Sequence, residues 1–347
     1  MTIREPLILK GMPGSPYTRK MLAYMRFRNL QYQLLIGEQS NQHNLPEAKV
    51  NLLPTFYLPD SEGQIEAVVD STPLIRRFEA AFEGRETIPD NPVMGFLNFL
   101  VEDYADEWLT KAMFHYRWYY EADIEMAGKI LPRWSNIQAP EAELNKLGHW
   151  VSERQIARLY VVGSNDTTAP IIEASYKRFL KVMDELIQKQ KFVFGHRPSS
   201  ADFGIYAQLT QLAKFDPTPS ATCLTDAPRV FAWTDLVDDL SGNSAESDDW
   251  LTVENCDAGL QGLFKEIGRT YAPFLLANAA ALDSGAQQVD TTIDGQPWVQ
   301  PVFPYQVKCL MEIRAAFDNL DGSDQAATLQ ILADTGCETL LTQQTPS

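Results

Sequence analysis

The first 85 residues alternate two kinds of segment in an order that few folds accept. Leu7-Ile8-Leu9-Lys10 reads as a short buried strand, and Gly11 to Gly14 as a turn. Pro16 suits the first turn of a helix, where its missing N–H would be unpaired anyway. Met21, Leu22, Tyr24 and Met25 give that helix an apolar face. Tyr32 to Ile36 is a second strand, and residues 40–50 form a weak polar helix or loop. Thr55 to Leu58 and Ile65 to Val69 flank the turn Pro59-Asp60-Ser61-Glu62-Gly63 and predict a hairpin. Ser71 then caps a helix carrying Leu74, Ile75 and Phe78. Strand-helix-strand implies a parallel pair, and the hairpin adds an antiparallel edge.

From residue 92 the pattern turns helical. Residues 93–122 form one long stretch rich in Phe96, Phe99, Leu100, Tyr104, Trp108, Phe114, Trp118 and Tyr119. Further helices are predicted at 141–161, 170–190, 200–214 and 227–240, then at 258–282 and 304–319. Three units follow: a mixed α/β domain over 1–88, an all-helical domain over 92–240, and an extension over 241–347.

Charge separates the extension from the rest. The chain carries a net charge of −17. Residues 1–90 hold 10 basic and 11 acidic groups, whereas 241–347 hold 4 and 15. So acidic a surface argues against nucleic acid or a membrane as partner. The extension nevertheless keeps apolar residues at helical spacing: Leu260, Leu263, Ile267 and Tyr271, then Tyr305, Cys309, Met311, Ile313 and Phe317. A solvated tail would have few of these. It is therefore expected to fold as a helical extension packed on the helical domain, with the Gly/Asp/Thr-rich stretch 284–297 as its most mobile part.

No apolar run reaches the ~18 residues of a membrane span. Met1 to Pro6 leads directly into the first strand without a secretion signal's apolar core. The four cysteines, Cys223, Cys256, Cys309 and Cys337, lack metal-ligand spacing with the four histidines. They are expected to be buried thiols in a reducing cytoplasm, with no metal site.

Three short segments carry the chemistry. Ser15 precedes a helix whose N-terminus presents unpaired N–H groups and a partial positive charge. A thiolate there is stabilised, and a hydroxyl adds a hydrogen bond to sulfur. Both lower a thiol pKa from about 8.5. Leu53-Pro54 opens the third strand. With a cis bond, the backbone of Leu53 would face outward and pair with a peptide laid alongside. Ser71 at a helix N-cap offers donors to a carboxylate, and Asp70 beside it takes an ammonium. Taken singly, Ser15 and Ser71 also read as plain caps, and Leu53-Pro54 as a trans bond at a loop end.

In their order and spacing, these segments resemble the glutathione-binding half of a glutathione transferase. Phe192-Val193-Phe194-Gly195 followed by Pro198-Ser199-Ser200-Ala201-Asp202-Phe203 resembles the capping box and hydrophobic staple of that family's helical domain. Asp202 is then a folding residue rather than a catalytic one. The resemblance spans residues 5–240. It implies a thioredoxin-like N-terminal domain plus an all-α C-terminal domain. It also implies glutathione as co-substrate, a small electrophile, a cytoplasmic enzyme and a homodimer. Ser15 would hold the sulfur, Leu53 with Pro54 the cysteinyl backbone, and Asp70 with Ser71 the γ-glutamyl head.

Departures leave some roles open. Position 15 is not the Cys of the thiol-reductase branches, and the first strand lacks the Tyr of the tyrosine-type classes. Tyr17 competes with Ser15 as sulfur partner. The segment between Asn51 and Pro54 is short, so His43 and Lys49 are candidates for the glycine carboxylate by charge alone. Trp108, His115, Trp118 and Tyr119 supply aromatics to an electrophile pocket, although helical spacing also fits them to a core. The rival functions are a non-catalytic binding or scaffold protein and another glutathione-dependent enzyme, such as an isomerase, dehalogenase or peroxidase.

Overall fold

The computed structural model describes residues 3–37, 43–246, 249–256 and 258–342. Its N-terminal domain is a four-stranded sheet of β1 (Leu7–Lys10), β2 (Tyr32–Leu35), β3 (Thr55–Pro59) and β4 (Ile65–Val68), ordered β2-β1-β3-β4. β1 pairs parallel with β2 through α1 (Pro16–Phe27), and antiparallel with β3. The β3–β4 hairpin leads into α2 (Ser71–Ala81). The carboxylate of Asp60 shapes the hairpin turn by accepting from the N–H groups of Glu62 and Gln64 at 2.8 and 2.9 Å. The expected thioredoxin-like order is therefore present.

The helices of the second unit build the other side of the site. α3 (Pro92–Tyr104) runs through a π-helical turn, Ala105–Leu109, into α4 (Thr110–Tyr119). α5 (Glu121–Ser135) and α6 (Glu141–Ile156) form a hairpin in which Gly148 approaches the backbone of Gly128 so closely that a Cβ would lie 2.2 Å from its carbonyl oxygen. α7 (Ala169–Leu186), α8 (Ser200–Leu212), α9 (Pro217–Asp226) and α10 (Pro228–Val237) follow. α5 and α9 were not expected from the sequence. α5 buries few residues and contains Pro132, and α9 is a short helix that buries only Pro219 and Cys223. The capping box is present at α8: Asp202 accepts from the Ser199 N–H at 2.8 Å, and also from the Val193 N–H at 2.8 Å.

The extension folds onto this frame, and it is not the purely helical unit expected. α11 (Ala258–Asp283) packs along α7, with Arg178 donating to both oxygens of Glu266 at 2.7 and 2.9 Å. The Gly/Asp/Thr-rich stretch 284–297, expected as an interruption between helices, enters a hairpin, β5 (Gln288–Ile293) and β6 (Gln296–Pro301). Asp294 and Gly295 make its turn, both at positive φ, while Val289, Ile293 and Trp298 are buried. Turn-forming residues at the hairpin's ends masked the alternation between them. α12 (Pro304–Asp318) and α13 (Gly322–Leu332) then cover α3, and a short α14 (Glu338–Leu341) closes against α11 and α12. Among the described residues, no helix is long and apolar enough to cross a membrane.

A buried ion cluster joins the first two units. Lys20 of α1 is fully buried, with its ammonium 2.6 Å from Glu102 and 2.5 Å from Asp106. It also donates to Thr72 of α2 at 3.1 Å. Burial works against its charge, but the two carboxylates outweigh it and raise its pKa. Removing one partner of a buried ion pair typically costs about 3–5 kcal/mol. Lys20→Met should therefore destabilise the chain by about that much in urea denaturation. An unchanged midpoint would show that the units are held together elsewhere.

Candidate functional site

The site begins at the loop before α1. Ser15 is the N-cap: its Oγ accepts from the Thr18 N–H at 3.2 Å and donates to the Leu53 carbonyl at 3.2 Å. Ser15 thus meets the segment read as the peptide-docking edge. The Leu53–Pro54 bond is cis. The helical domain holds the loop from the other side. Arg117 of α4 donates to the Gly14 carbonyl at 3.1 Å, while Asp216 grips its guanidinium with two 2.8 Å bonds. Gln211 reaches the Pro13 carbonyl at 3.3 Å. Sequence reasoning missed Arg117, whose nearest signal was a cation inside the aromatic stripe, a position it shares with Lys111.

Between the domains lies a cavity of about 500 Å³. Met12, Ser15, Tyr17 and Leu53 form one wall; Thr110, Met113, Arg117 and Trp118 form another. The α5–α6 hairpin closes it with Leu131, Leu147 and Val151. Of the aromatics proposed for the pocket, Trp118 lines it. Trp108 and His115 do not: both lie in the core. Trp108 donates to Ser175 at 3.1 Å and packs against Trp298 of β6, with ring centroids 5.4 Å apart. His115 lies 2.8 Å from Ser164 and 3.4 Å from Glu173 through its two ring nitrogens. Their helix face is claimed by the extension and by α7. Tyr119 points to Asp166, with a 2.7 Å bond. His43 and Lys49 are exposed and do not line the cavity.

Tyr17 is committed elsewhere. Its hydroxyl donates to the Asp106 carbonyl at 2.7 Å and lies 2.9 Å from Thr110 Oγ1. That carbonyl belongs to the π-helical turn, where the regular ladder is interrupted. Burial first, then the charges of Glu107 and Asp106, push the phenol pKa far up. The Ser15 hydroxyl, by contrast, stands at the N-terminus of α1 and, among the described residues, bonds only to Thr18 and Leu53.

The third segment differs in one respect. Asp70, not Ser71, is the N-cap of α2, and Ser71 is its first residue. Asp70 takes φ +82°, sparsely populated for a non-glycine residue, and its side chain makes no capping bond. Such an outlier costs roughly 1–3 kcal/mol and persists only where the surrounding structure holds it. Its carboxylate instead meets the hydroxyl of Tyr305, from α12, at 3.2 Å. Nothing in the sequence linked those two residues.

Residues 9–86 match the family model for the glutathione S-transferase N-terminal domain, and residues 154–242 match that for its C-terminal domain. The chain belongs to the glutathione S-transferase superfamily. Within it, α3 to α5 and nearly all of the extension lie outside the matched regions. No curated protein gives a significant match. Solved structures similar to this transferase-family chain include a Pseudomonas fluorescens glutathione transferase family member with two glutathione bound. It is 12% identical, covers 66% of this chain and 87% of that one, and has a TM-score of 0.43. A Burkholderia graminis glutathione transferase with two glutathione molecules per subunit is 14% identical, covers 67% and 83%, and has a TM-score of 0.42. A Pseudomonas putida glutathione transferase with one glutathione disulfide per subunit is 12% identical, covers 67% and 91%, and has a TM-score of 0.41.

Carboxyls cluster behind the site. Burial and the charges of Asp103 and Asp106 raise Glu107 to about 8, while Lys111 and Gln306 pull the other way. A carboxyl with a raised folded pKa binds a proton that the unfolded chain has released. Its contribution therefore favours folding at low pH and is lost as pH rises from about 4.5 towards about 8. Glu107→Gln should accordingly lose less stability than the wild type between pH 5 and pH 8.5. A difference of roughly 1 kcal/mol or more is expected, since each tenfold change in proton affinity is worth about 1.4 kcal/mol. Parallel urea titrations at the two pH values measure it; equal losses in the two proteins would contradict the assignment.

Proposed function

We propose that this protein binds glutathione, activates it as thiolate at Ser15, and adds it to a small, largely apolar electrophile in the interdomain cavity. The observation that carries the proposal is Ser15. One hydroxyl stands at the N-terminus of α1, beside the backbone of Leu53, on the wall of a cavity of about 500 Å³. Glutathione's thiol needs a partial positive charge and a donor, and this point offers both. Its cysteinyl backbone would pair with Leu53 as an added strand. Its γ-glutamyl carboxylate would meet the first N–H groups of α2, and its ammonium the carboxylate of Asp70.

In the reaction, the thiolate attacks an electrophilic carbon of the second substrate. A carbon–sulfur bond forms, and a leaving group departs or a conjugated double bond takes up the electron pair. The thiol proton passes to solvent beforehand. Holding both reactants in the cavity turns a bimolecular encounter into an oriented one. Met113, Leu131, Leu147, Val151 and Trp118 favour an apolar partner, while Arg158 would favour one bearing a polar or anionic group.

Removing a hydrogen bond to a charged group costs about 1.5–3 kcal/mol. Ser15→Ala should therefore raise the pKa of bound glutathione by about one or more. Conjugation of an aryl halide at neutral pH should slow about tenfold. Tyr17→Phe should leave the thiol pKa where it was. Ultraviolet titration of the bound thiolate reads both. A change with Tyr17→Phe and none with Ser15→Ala would reverse the assignment. Calorimetry with no heat of glutathione binding to the wild type would remove the proposal itself.

A further inference from the structure

The start of α12 reaches across the molecule to the α2 end of the site. Tyr305 is its second residue, 235 positions from Asp70, and the two side chains meet at 3.2 Å. Neighbouring bonds hold this part of α12 in place. Asn278 of α11 clamps the backbone of Phe303, accepting from its N–H at 2.9 Å and donating to its carbonyl at 3.0 Å. Gln306 donates to Glu107 at 3.4 Å, beside the π-helical turn that receives Tyr17. The Tyr305 ring packs against Phe303, with centroids 6.2 Å apart, and Lys308 lies over its face at 5.7 Å. Yet the residue is 40% exposed, and Asp70 is half-buried. A well-anchored phenol thus stands beside a partly exposed carboxylate, next to a helix N-terminus. Asp70 also holds its unusual φ of +82° at this point.

Resting on the glutathione site proposed above, we propose that the extension completes that site in cis. The α-ammonium of the γ-glutamyl group sits against both the Asp70 carboxylate and the Tyr305 hydroxyl oxygen. An ammonium has three donors and no acceptor. Asp70 takes one, the Tyr305 oxygen accepts a second, and the phenol keeps donating to Asp70, so the carboxylate stays oriented as the ligand arrives. The α-carboxylate of the same group falls on the first N–H groups of α2. The extension is thus part of the recognition surface for the amino-acid head. A chain cut before α12 would lose that head's second partner. This gives the acidic extension a role distinct from closing the electrophile cavity, since Tyr305 does not line it.

The test uses the full-length protein, two variants and two ligands. Tyr305→Phe removes the hydroxyl and keeps the ring, so near-ultraviolet circular dichroism should match the wild type. Calorimetric titration with glutathione should show affinity weakened about tenfold, the scale of one hydrogen bond to a charged group. The same titration with deaminated glutathione, which lacks the ammonium, should show wild type and Tyr305→Phe within about twofold of each other. Lys308→Ala, which touches the ring but not the hydroxyl, should bind glutathione as the wild type does. Unchanged glutathione affinity in Tyr305→Phe overturns the inference while leaving the site reading intact. An equal loss for both ligands overturns it too, because Tyr305 would then act on the fold of the site rather than on the ammonium. Wild type that fails to bind glutathione at all removes the site reading, and this inference with it.

Discussion

A single buried ammonium sets the geometry on which the site depends. Lys20 lies on α1, and its partners Glu102 and Asp106 lie on α3 and the π-helical turn after it. Taking these charges out of water costs several kcal/mol per ion, which only close partners offset. The units therefore have little freedom to slide without stranding one of them. Burial would raise Glu102, but Lys20 and Arg76 hold it below the usual carboxylate range. Asp106, by contrast, is pushed up to about 6 by burial despite Lys20. One cation is thus shared by two buried carboxylates, and its charge favours the ionised form of both. With α1 pinned in this way, Tyr17 falls on the Asp106 carbonyl and Ser15 falls on the cavity wall.

The extension changes what the long helical stretch does. Without it, the α3–α4 face bearing Tyr104 and Trp108 would be open on one side. Tyr271 of α11 donates to Asp103 at 2.6 Å and sets its ring edge against Tyr104, and Trp298 of β6 covers Trp108. Large aromatic side chains bury 150–250 Å² each, so this face is a strong docking surface. The cavity is left with mostly aliphatic walls, the aromatics Tyr17, Phe114 and Trp118, and the cations Arg117 and Arg158. Arg117 links that cavity to the Ser15 loop, because the same guanidinium lines one and holds the other. The shape of the cavity and the packing of the domains are therefore not separable at this point.

Much of the N-terminal half was legible residue by residue. Each strand and helix of the α/β domain lies within a residue or two of its expected place, because alternation and capping act over a few neighbours. The box at Ser199 and Asp202 was legible for the same reason. Failures occurred where local signals conflicted with packing. No helix was expected at α5 or α9, where α5 buries few residues and contains Pro132, and where α9 carries Pro217 and Pro219 in a first turn that tolerates them. Asp294-Gly295 read as part of a loose stretch, although it is the turn of a hairpin anchored by Trp298. His115 and Trp108 were ambiguous between pocket and core, since helical spacing tells that a face is covered but not by what.

The sequence by itself determined the order of strands and helices in the α/β domain, the presence of Ser15 at a helix start, and the proline-led strand after Leu53. These depend on contacts within about four residues, whose energies are set by neighbours in the chain. Only the tertiary structure decided which aromatics face the cavity, which cation holds the Ser15 loop, and that Asp70 meets Tyr305. Arg117 and Gly14 are 103 positions apart, and Asp70 and Tyr305 are 235 apart. Pairs so distant leave no periodic trace along the chain. They meet because the buried Lys20 cluster and the aromatic dock of the extension fix where whole elements lie.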